Sequence, residues 1–503
     1  MQRSRTAVGL DPLGDDLRSL LTDVGEYVIS TLNGLSTARA ADFDDIPSML
    51  RESGVRRPPP EHGRPLEELL NGLDRAASKG INVASGGMLA YVPSSGLVSS
   101  AIADLLAGVL NRFTGQPVPA PGLVALEVGV LRWIADLFDL PPTAMGSFTS
   151  GGSTATLSAL ITARAAKLPV NFLDGTSYVT GHTHGAVAKA ALLAGFPRAN
   201  VRVVPVDRGL RMDPVALRTA IESDRSRGLH PFFVAASAGT TDAGTIDPLP
   251  DLAVLAEAED LWFHVDAAYG GFFQLTDRGR QRMSGVERAD SIVLDPHKSL
   301  FLPMGTGCLL VRDGELLRRA HAGVAADYLQ DLHGSELPNF SDHSIELTRN
   351  FRGLRDWLPL HLHGVSAFRT ALDEMLDLAE LVHDDLAVRP ELAVLNRPAL
   401  STVVFRVAGV DDSVDERTAE LLTRINAEGH VHLSSTRIGG RLVIRICMLH
   451  HRTDRARIVG VLDAIHRHSA VVARSRSRGR VTGSASADGG SRRLPAGSAP
   501  RPW

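Results

Sequence analysis

The chain has 503 residues, 44% hydrophobic and 22% charged, with a formal net charge of −4. This composition suits a soluble globular protein of about two or three domains, and its charge balance provides no basic surface of the kind nucleic acid selects. Two cysteines, Cys308 and Cys447, are too few for a disulfide framework, the start Met-Gln-Arg-Ser-Arg-Thr has no signal-peptide pattern, and no run resembles a membrane span, so a cytoplasmic protein without membrane contact is expected.

Helical periodicity behind capping aspartates over residues 14–35, closed by a break at Pro58–Pro60, predicts a separate N-terminal helical segment over 1–97. From about Ser100, amphipathic stretches alternate with short apolar or β-branched runs at Asn171-Phe-Leu, Val201-Arg-Val-Val, Phe232-Phe-Val-Ala, Leu261-Trp-Phe-His-Val and Ser291-Ile-Val-Leu. Strands alternating with helices predict a doubly wound, mostly parallel α/β sheet over 98–371. A helix over Leu354–His363 follows. The strand candidates Ser401-Thr-Val-Val-Phe and Leu442-Val-Ile-Arg-Ile, set between helices, predict a smaller C-terminal α/β domain over 372–470. From Val471 the chain carries seven arginines and one aspartate among Ser and Gly, so 471–503 reads as a disordered, solvated tail.

Lysine is scarce: only Lys79, Lys167, Lys189 and Lys298 occur, so arginine supplies nearly all the positive charge. Lys298 stands in Ser-Ile-Val-Leu-Asp-Pro-His-Lys-Ser-Leu-Phe-Leu, an amine between apolar runs, where desolvation favours a nucleophile that arginine cannot provide. In an open α/β sheet, ligands sit at the carboxyl ends of strands, so polar residues after each apolar run are the candidates. Asp266, in Phe-His-Val-Asp-Ala-Ala-Tyr, lies about one βα unit before Lys298 and offers a carboxylate to a protonated ring nitrogen, as pyridoxal phosphate (PLP) requires. Thr149-Ser-Gly-Gly-Ser153, opening a helix, offers backbone N–H groups to a phosphate. His184, in Thr-Gly-His-Thr-His-Gly, is placed to stack on a cofactor ring, and Thr240 and Thr241 follow another strand. The His182/His184 and His450/His451 pairs lack the accompanying ligands of a metal site, so no metal is expected. Ser237, in Ala-Ala-Ser-Ala-Gly, only approaches a hydrolase nucleophile elbow.

Ser-Gly-Gly-Ser, His-Val-Asp-Ala-Ala-Tyr and Asp-Pro-His-Lys, in this order and spacing, resemble the PLP-dependent group II amino acid decarboxylases, over roughly residues 75–450. The resemblance implies a fold-type I enzyme, active as a homodimer with its site at the interface, that acts on an amino acid. It makes Lys298 the Schiff-base lysine, Asp266 the partner of the pyridine nitrogen and His184 the stacking residue. Gly152, Ser153 and Asp295 would hold the phosphate region, and Thr241, Ala268 and His297 would complete the cofactor site. Tyr328 would protonate the substrate carbon once carbon dioxide leaves. A phenylalanine there is associated in the family with aldehyde formation, so the tyrosine implies an amine product. Tyr91, Ser94 and Arg445 would contact substrate, Arg445 by meeting the substrate carboxylate, with a structural ion pair near the domain joint as the other reading of Arg445. Ser85-Gly-Gly-Met-Leu is small and aliphatic where aromatic decarboxylases carry a His-Pro pair and aromatic residues, which weakens the expectation of an aromatic substrate. Other PLP chemistry on an amino acid, or a PLP-binding protein without catalysis, are the competing readings.

Overall fold

The computed structural model describes residues 10–54, 57–323 and 336–478, with side chains as far as Val472. The N-terminal segment comprises α1 (Asp15–Gly34), β1 (Ala41–Asp42), α2 (Ile46–Glu52), α3 (Leu66–Ala77) and β2 (Gly80–Ile81). β1 and β2 pair antiparallel, so this segment is helical with one small ribbon. After α4 (Val98–Leu110) and α5 (Pro121–Leu137), strands and helices alternate: β3 (Met145–Thr149), α6 (Gly152–Lys167), β4 (Gly175–Thr180), α7 (Gly185–Leu193), β5 (Val201–Val204) and α8 (Pro214–Ser226). The alternation continues through β6 (His230–Ser237), α9 (Leu249–Ala258), β7 (Trp262–Asp266), α10 (Asp277–Arg282), β8 (Ser291–Leu294), α11 (Pro296–Ser299), β9 (Gly307–Val311) and α12 (Gly314–His321). Local chemistry sets these limits. For α8, Asp213 accepts the N–H groups of Val215 and Ala216 while Pro214, with no N–H to satisfy, opens the helix.

The large sheet has the order β3-β9-β8-β7-β6-β4-β5. β5, β4, β6, β7 and β8 are mutually parallel, and β9 runs antiparallel to both β8 and β3. β6, β7 and β8 are almost wholly buried, as their continuous apolar runs require of strands covered on both faces. The doubly wound, mostly parallel architecture is therefore present. One expected strand is displaced: Asn171–Leu173 is a loop, its Phe172 carbonyl accepting the Gly175 N–H in a turn, and the strand is the following Gly-Thr-Ser-Tyr-Val-Thr of β4. Its hydroxyls hid it. Thr176 and Tyr178 bond to each other and Tyr178 donates to Asp224, so polar side chains are satisfied inside the core.

α13 (Gly353–His363) and the long α14 (Val365–Ala387) lead to β10 (Leu392–Val394), β11 (Thr402–Val407), α15 (Val414–Ala427), β12 (Ser434–Ile438), β13 (Arg441–Cys447) and α16 (Arg455–Arg478). The small sheet is four-stranded and antiparallel, in the order β10-β11-β13-β12, so the two expected strands are flanked by two more. Two expected boundaries shift. Residue 371 falls inside α14, whose buried Phe368, Leu372, Met375, Ala379, Val382 and Leu386 form one continuous stripe, and the helix entered at Arg455 passes Val471 to reach Arg478. Among the described residues, no helix is long and apolar enough to cross a membrane.

Candidate active site

β4, β6, β7 and β8 are parallel, and β3 shares their direction because it opposes β9, so five strands deliver their carboxyl ends to one edge of the sheet. The turns there enclose a cavity of about 270 Å³. Its walls hold Gly152, Ser153, His184, Thr241, Asp266, Ala268, Asp295, His297 and Lys298, so every residue expected to bind the cofactor comes to one place.

Asp266 ends β7, and its Oδ1 accepts the Ala268 N–H at 3.1 Å. Burial pushes its carboxyl above the ordinary carboxylate range, against the opposing pull of the Lys298 ammonium and His184. A carboxylate in that position calls for a cationic partner. Lys298 stands on α11, its Nζ 3.0 Å from Asp295 Oδ2. The amine is thus held by an ion pair rather than merely set among apolar side chains.

Asp295 lines the cavity beside Gly152 and Ser153. A carboxylate has no hydrogen to offer a phosphate, and this one faces Lys298 and packs beneath Gly152, where an added Cβ would lie 3.0 Å from Oδ2 and 3.2 Å from Oδ1. The glycine is needed so that the start of α6 can press against the acid. α6 begins without a side-chain cap, leaving its first backbone N–H groups and positive dipole end available at the cavity.

His184 Nδ1 accepts the Ala186 N–H at 3.2 Å at the start of α7, which places the ring proton on Nε2. His297 Nδ1 donates to the Thr306 carbonyl at 2.6 Å, turning Nε2 toward Asp295 Oδ2 at 3.8 Å. An amine, a buried acid, a ring-sized cavity and an uncapped helix start form a donor set that fits PLP.

The expected substrate contacts do not line this cavity within one chain. Ser94 is buried and donates to the Leu302 carbonyl at 2.8 Å. Tyr91 is exposed, in the left-handed region at φ 56°. Arg445 is buried at the domain joint with its guanidinium engaged by protein: Nε on the Asp242 carbonyl (2.8 Å), Nη1 on Ser434 Oγ (3.0 Å), and Nη2 on the carbonyls of Tyr91 (3.3 Å) and Thr241. Within one chain its donors are turned to three main-chain carbonyls and one side-chain hydroxyl. Ser85–Leu89 also sit away from the cavity, against the small domain, where Cβ atoms on Gly86 and Gly87 would collide with the carbonyls of Arg452 and His430. Their small size serves that packing. Tyr328 lies outside the described residues.

Other readings lose their geometry. Ser237 lines the cavity, but β6 runs into a loop and α9 begins only at Leu249, so there is no strand-to-helix elbow. His182 pairs with Asp242, His450 bonds to the Val83 carbonyl and His451 to Ser95, and no cluster of three metal-ligating side chains occurs among the described residues. Tyr269 is a cavity residue that the sequence reading passed over. Its hydroxyl joins Ser401 at 2.8 Å and Thr402 at 3.0 Å, tying the cavity wall to the small domain, a partnership visible only once β11 is placed.

The pyridoxal-dependent decarboxylase conserved domain matches residues 51–408. The chain belongs to that family. It is 33% identical over 462 residues to an aromatic-L-amino-acid decarboxylase of Bacillus atrophaeus, covering 90% of this chain and 95% of the relative. It is 32% identical over 431 residues to an L-2,4-diaminobutyrate decarboxylase of Rhizobium meliloti (strain 1021), covering 84% and 83%. The crystal structure of Oryza sativa TDC with PLP and tryptamine superposes with a TM-score of 0.86 at 26% identity, covering 92% of this chain and 99% of that one. This pyridoxal-dependent decarboxylase has the fold-type I architecture, uses PLP and carries out amino acid decarboxylation.

Proposed function

We propose that this decarboxylase converts an L-amino acid to the corresponding amine and carbon dioxide, with Lys298, Asp266, His184 and Tyr328 as its catalytic residues. The observation that carries the reading is the convergence of Lys298, Asp266 and the uncapped start of α6 on one cavity. When bound, PLP supplies an aldehyde for the substrate amine and a protonated ring that accepts the electrons left by departing carbon dioxide. Asp266 holds the proton on the ring nitrogen, since a buried carboxylate is relieved by a cation. Asp295 receives the Lys298 ammonium when the amine is not engaged by cofactor, holding it at the cavity. His184, at the cavity wall, would stack on the cofactor ring, and the backbone N–H groups at Gly152 and Ser153 would take the phosphate. Thr241, Ala268 and His297 close the walls. Tyr328 delivers a proton from its phenol to the substrate carbon, which yields the amine.

We further infer a homodimer, because α1, α2 and α3 bury none of their residues within one chain. A cytoplasmic setting is supported by the two cysteines, both free and buried.

The test measures products. Incubation of the PLP-loaded protein with a mixture of L-amino acids is expected to release amine and carbon dioxide in equal amounts from the one consumed. Lys298→Ala should lose the near-visible absorbance band of bound PLP and all turnover. In Tyr328→Phe, amine should fall while aldehyde, ammonia and hydrogen peroxide appear as dioxygen is consumed. Undiminished amine from that variant overturns the assignment of the proton donor.

A further inference from the structure

The two turns that carry His184 and Thr241 come from different βα units, yet one acid joins them. His182 Nδ1 donates to Asp242 Oδ2 at 3.2 Å, and Thr436 Oγ1, on β12 of the small domain, donates to Asp242 Oδ1 at 2.7 Å. The Asp242 carbonyl accepts from Arg445 Nε at 2.8 Å, while the same guanidinium bonds to the carbonyls of Thr241 and Tyr91. Asp242 does not line the cavity; its neighbours Thr240 and Thr241 do, as does His184 two residues beyond His182. Each element here is short and irregular. The His184 turn is held locally by Thr180 and Thr183 hydroxyls and the Thr241 turn by the Thr240 and Thr245 main chain; the two leave the paired strands β4 and β6, and the His182–Asp242 bond adds a side-chain link between them beyond the strand ends.

We propose that Asp242 is a positioning residue that sets the His184 and Thr241 turns in register with each other and locks both to the small domain. Burial alone would push its carboxyl up, but the hydrogen bonds from His182 and Thr436, with the charges of His182 and Arg445, hold it below the usual carboxylate range. It is therefore an ionised acceptor for both donors. The two side-chain bonds fix position in a way that one cannot: Thr436 approaches from the small domain and His182 from the large one, while Arg445 holds the main-chain carbonyl whatever side chain stands at position 242. Displacement of cavity-wall residues by even a fraction of an ångström weakens both cofactor binding and turnover, because reacting groups must be held in register.

This assignment rests on the PLP site and not on which product leaves, so PLP binding is the first readout. In Asp242→Ala, PLP affinity and kcat are each expected to fall by about ten-fold, with KM within about two-fold and the induced circular dichroism of bound PLP reduced, by analogy with losses from misplaced catalytic groups. Asp242→Asn should stay within about three-fold of wild type, since its amide can accept from Thr436 and donate to the other tautomer of His182. The double variant His182→Ala/Asp242→Ala should be no worse than Asp242→Ala, because the two side chains act through one contact. Thr436→Val, which removes one donor and no charge, should show a loss of about three-fold and keeps the test available should Asp242→Ala not fold. Wild-type PLP affinity and dichroism in Asp242→Ala overturn the proposal. So does a loss in Asp242→Asn as deep as in Asp242→Ala, or a double variant whose losses multiply.

Discussion

Asp356, in the first turn of α13, is fully buried, and neither of its carboxyl oxygens has a hydrogen-bond partner among the described residues. Burial pushes this carboxyl well above the ordinary range and the Glu127 charge adds to the effect, with Arg355 opposing. The sign of the linkage follows. An acid whose folded pKa is raised keeps its proton in the folded state at pH values where the unfolded chain has lost it, so its contribution to stability is full below about pH 4 and declines as pH rises through the folded value. Each unit of upward shift is worth about 1.4 kcal/mol. Asp356→Asn keeps the shape and cannot ionise. Its Tm should match wild type in mild acid and exceed it increasingly between pH 6 and 8, whereas parallel Tm curves for the two proteins would exclude the buried acid as a pH-dependent cost. The sequence carries no trace of this, because burial arises from α5 and α13 meeting across the fold. Lys298 and Asp266 were legible for the opposite reason: Asp266 ends one apolar strand and Lys298 stands in the short helix just after the next, and that local position brings both side chains to the ligand edge. Arg445 lies within a strand, and beyond its cross-strand neighbour Ser434 its partners Tyr91, Thr241 and Asp242 are main-chain carbonyls far away in sequence, so the partners of a structural arginine there could not be read from the chain.

Elements divide along the same line. β6, β7 and β8 announce themselves as apolar runs because both faces are covered, while β4 and β3 contain Thr, Ser and Gly that break the apolar run; Thr149, Thr176 and Thr180 find partners two or three residues away, and Tyr178 finds Asp224 on α8. The segment around Gly87 is a further case. It falls within the stretch expected to be a helical segment, yet Leu89 donates to the His432 carbonyl, His432 to the Gly87 carbonyl and Cys447 to the Leu89 carbonyl, so it lies against the small domain as an added extended strip. A Cβ at Gly87 would lie 2.1 Å from the His430 carbonyl oxygen, which belongs to backbone and cannot rotate away. Gly87→Ala should therefore cost about 1–3 kcal/mol, seen as a lower Tm, as overpacking in a closed contact does. The strip does not line the PLP cavity, so the absorbance maximum of bound PLP should stay in place. An unchanged Tm would mean that the strip separates freely from the small domain.

At the scale of the molecule, the apolar surface left on the N-terminal helices is the feature that one chain cannot account for. Leu69 and Leu73 on α3 are each 53% exposed, Leu105 on α4 is 55% exposed and Val109 on the same helix 77%. Leu21 and Ile29 add to the set from α1. Side chains at i and i+4, Leu69 with Leu73 and Leu105 with Val109, lie on one face of their helices, and exposed apolar faces of this kind are rarely left to water in a lone protein. The proposed homodimer would cover it and would add partner side chains to a cavity whose walls within one chain include none of the expected substrate contacts Tyr91, Ser94 and Arg445. Sedimentation equilibrium at micromolar concentration should give twice the 53.7 kDa chain mass. Leu69→Asp/Leu73→Asp, which places two charges on the stripe without touching a buried position, should shift the protein toward single chains and, with them, raise the PLP concentration needed for half-saturation. Dissociation that leaves PLP affinity and turnover intact would mean that each chain builds its site alone, and a wild-type mass of one chain would overturn the dimer itself.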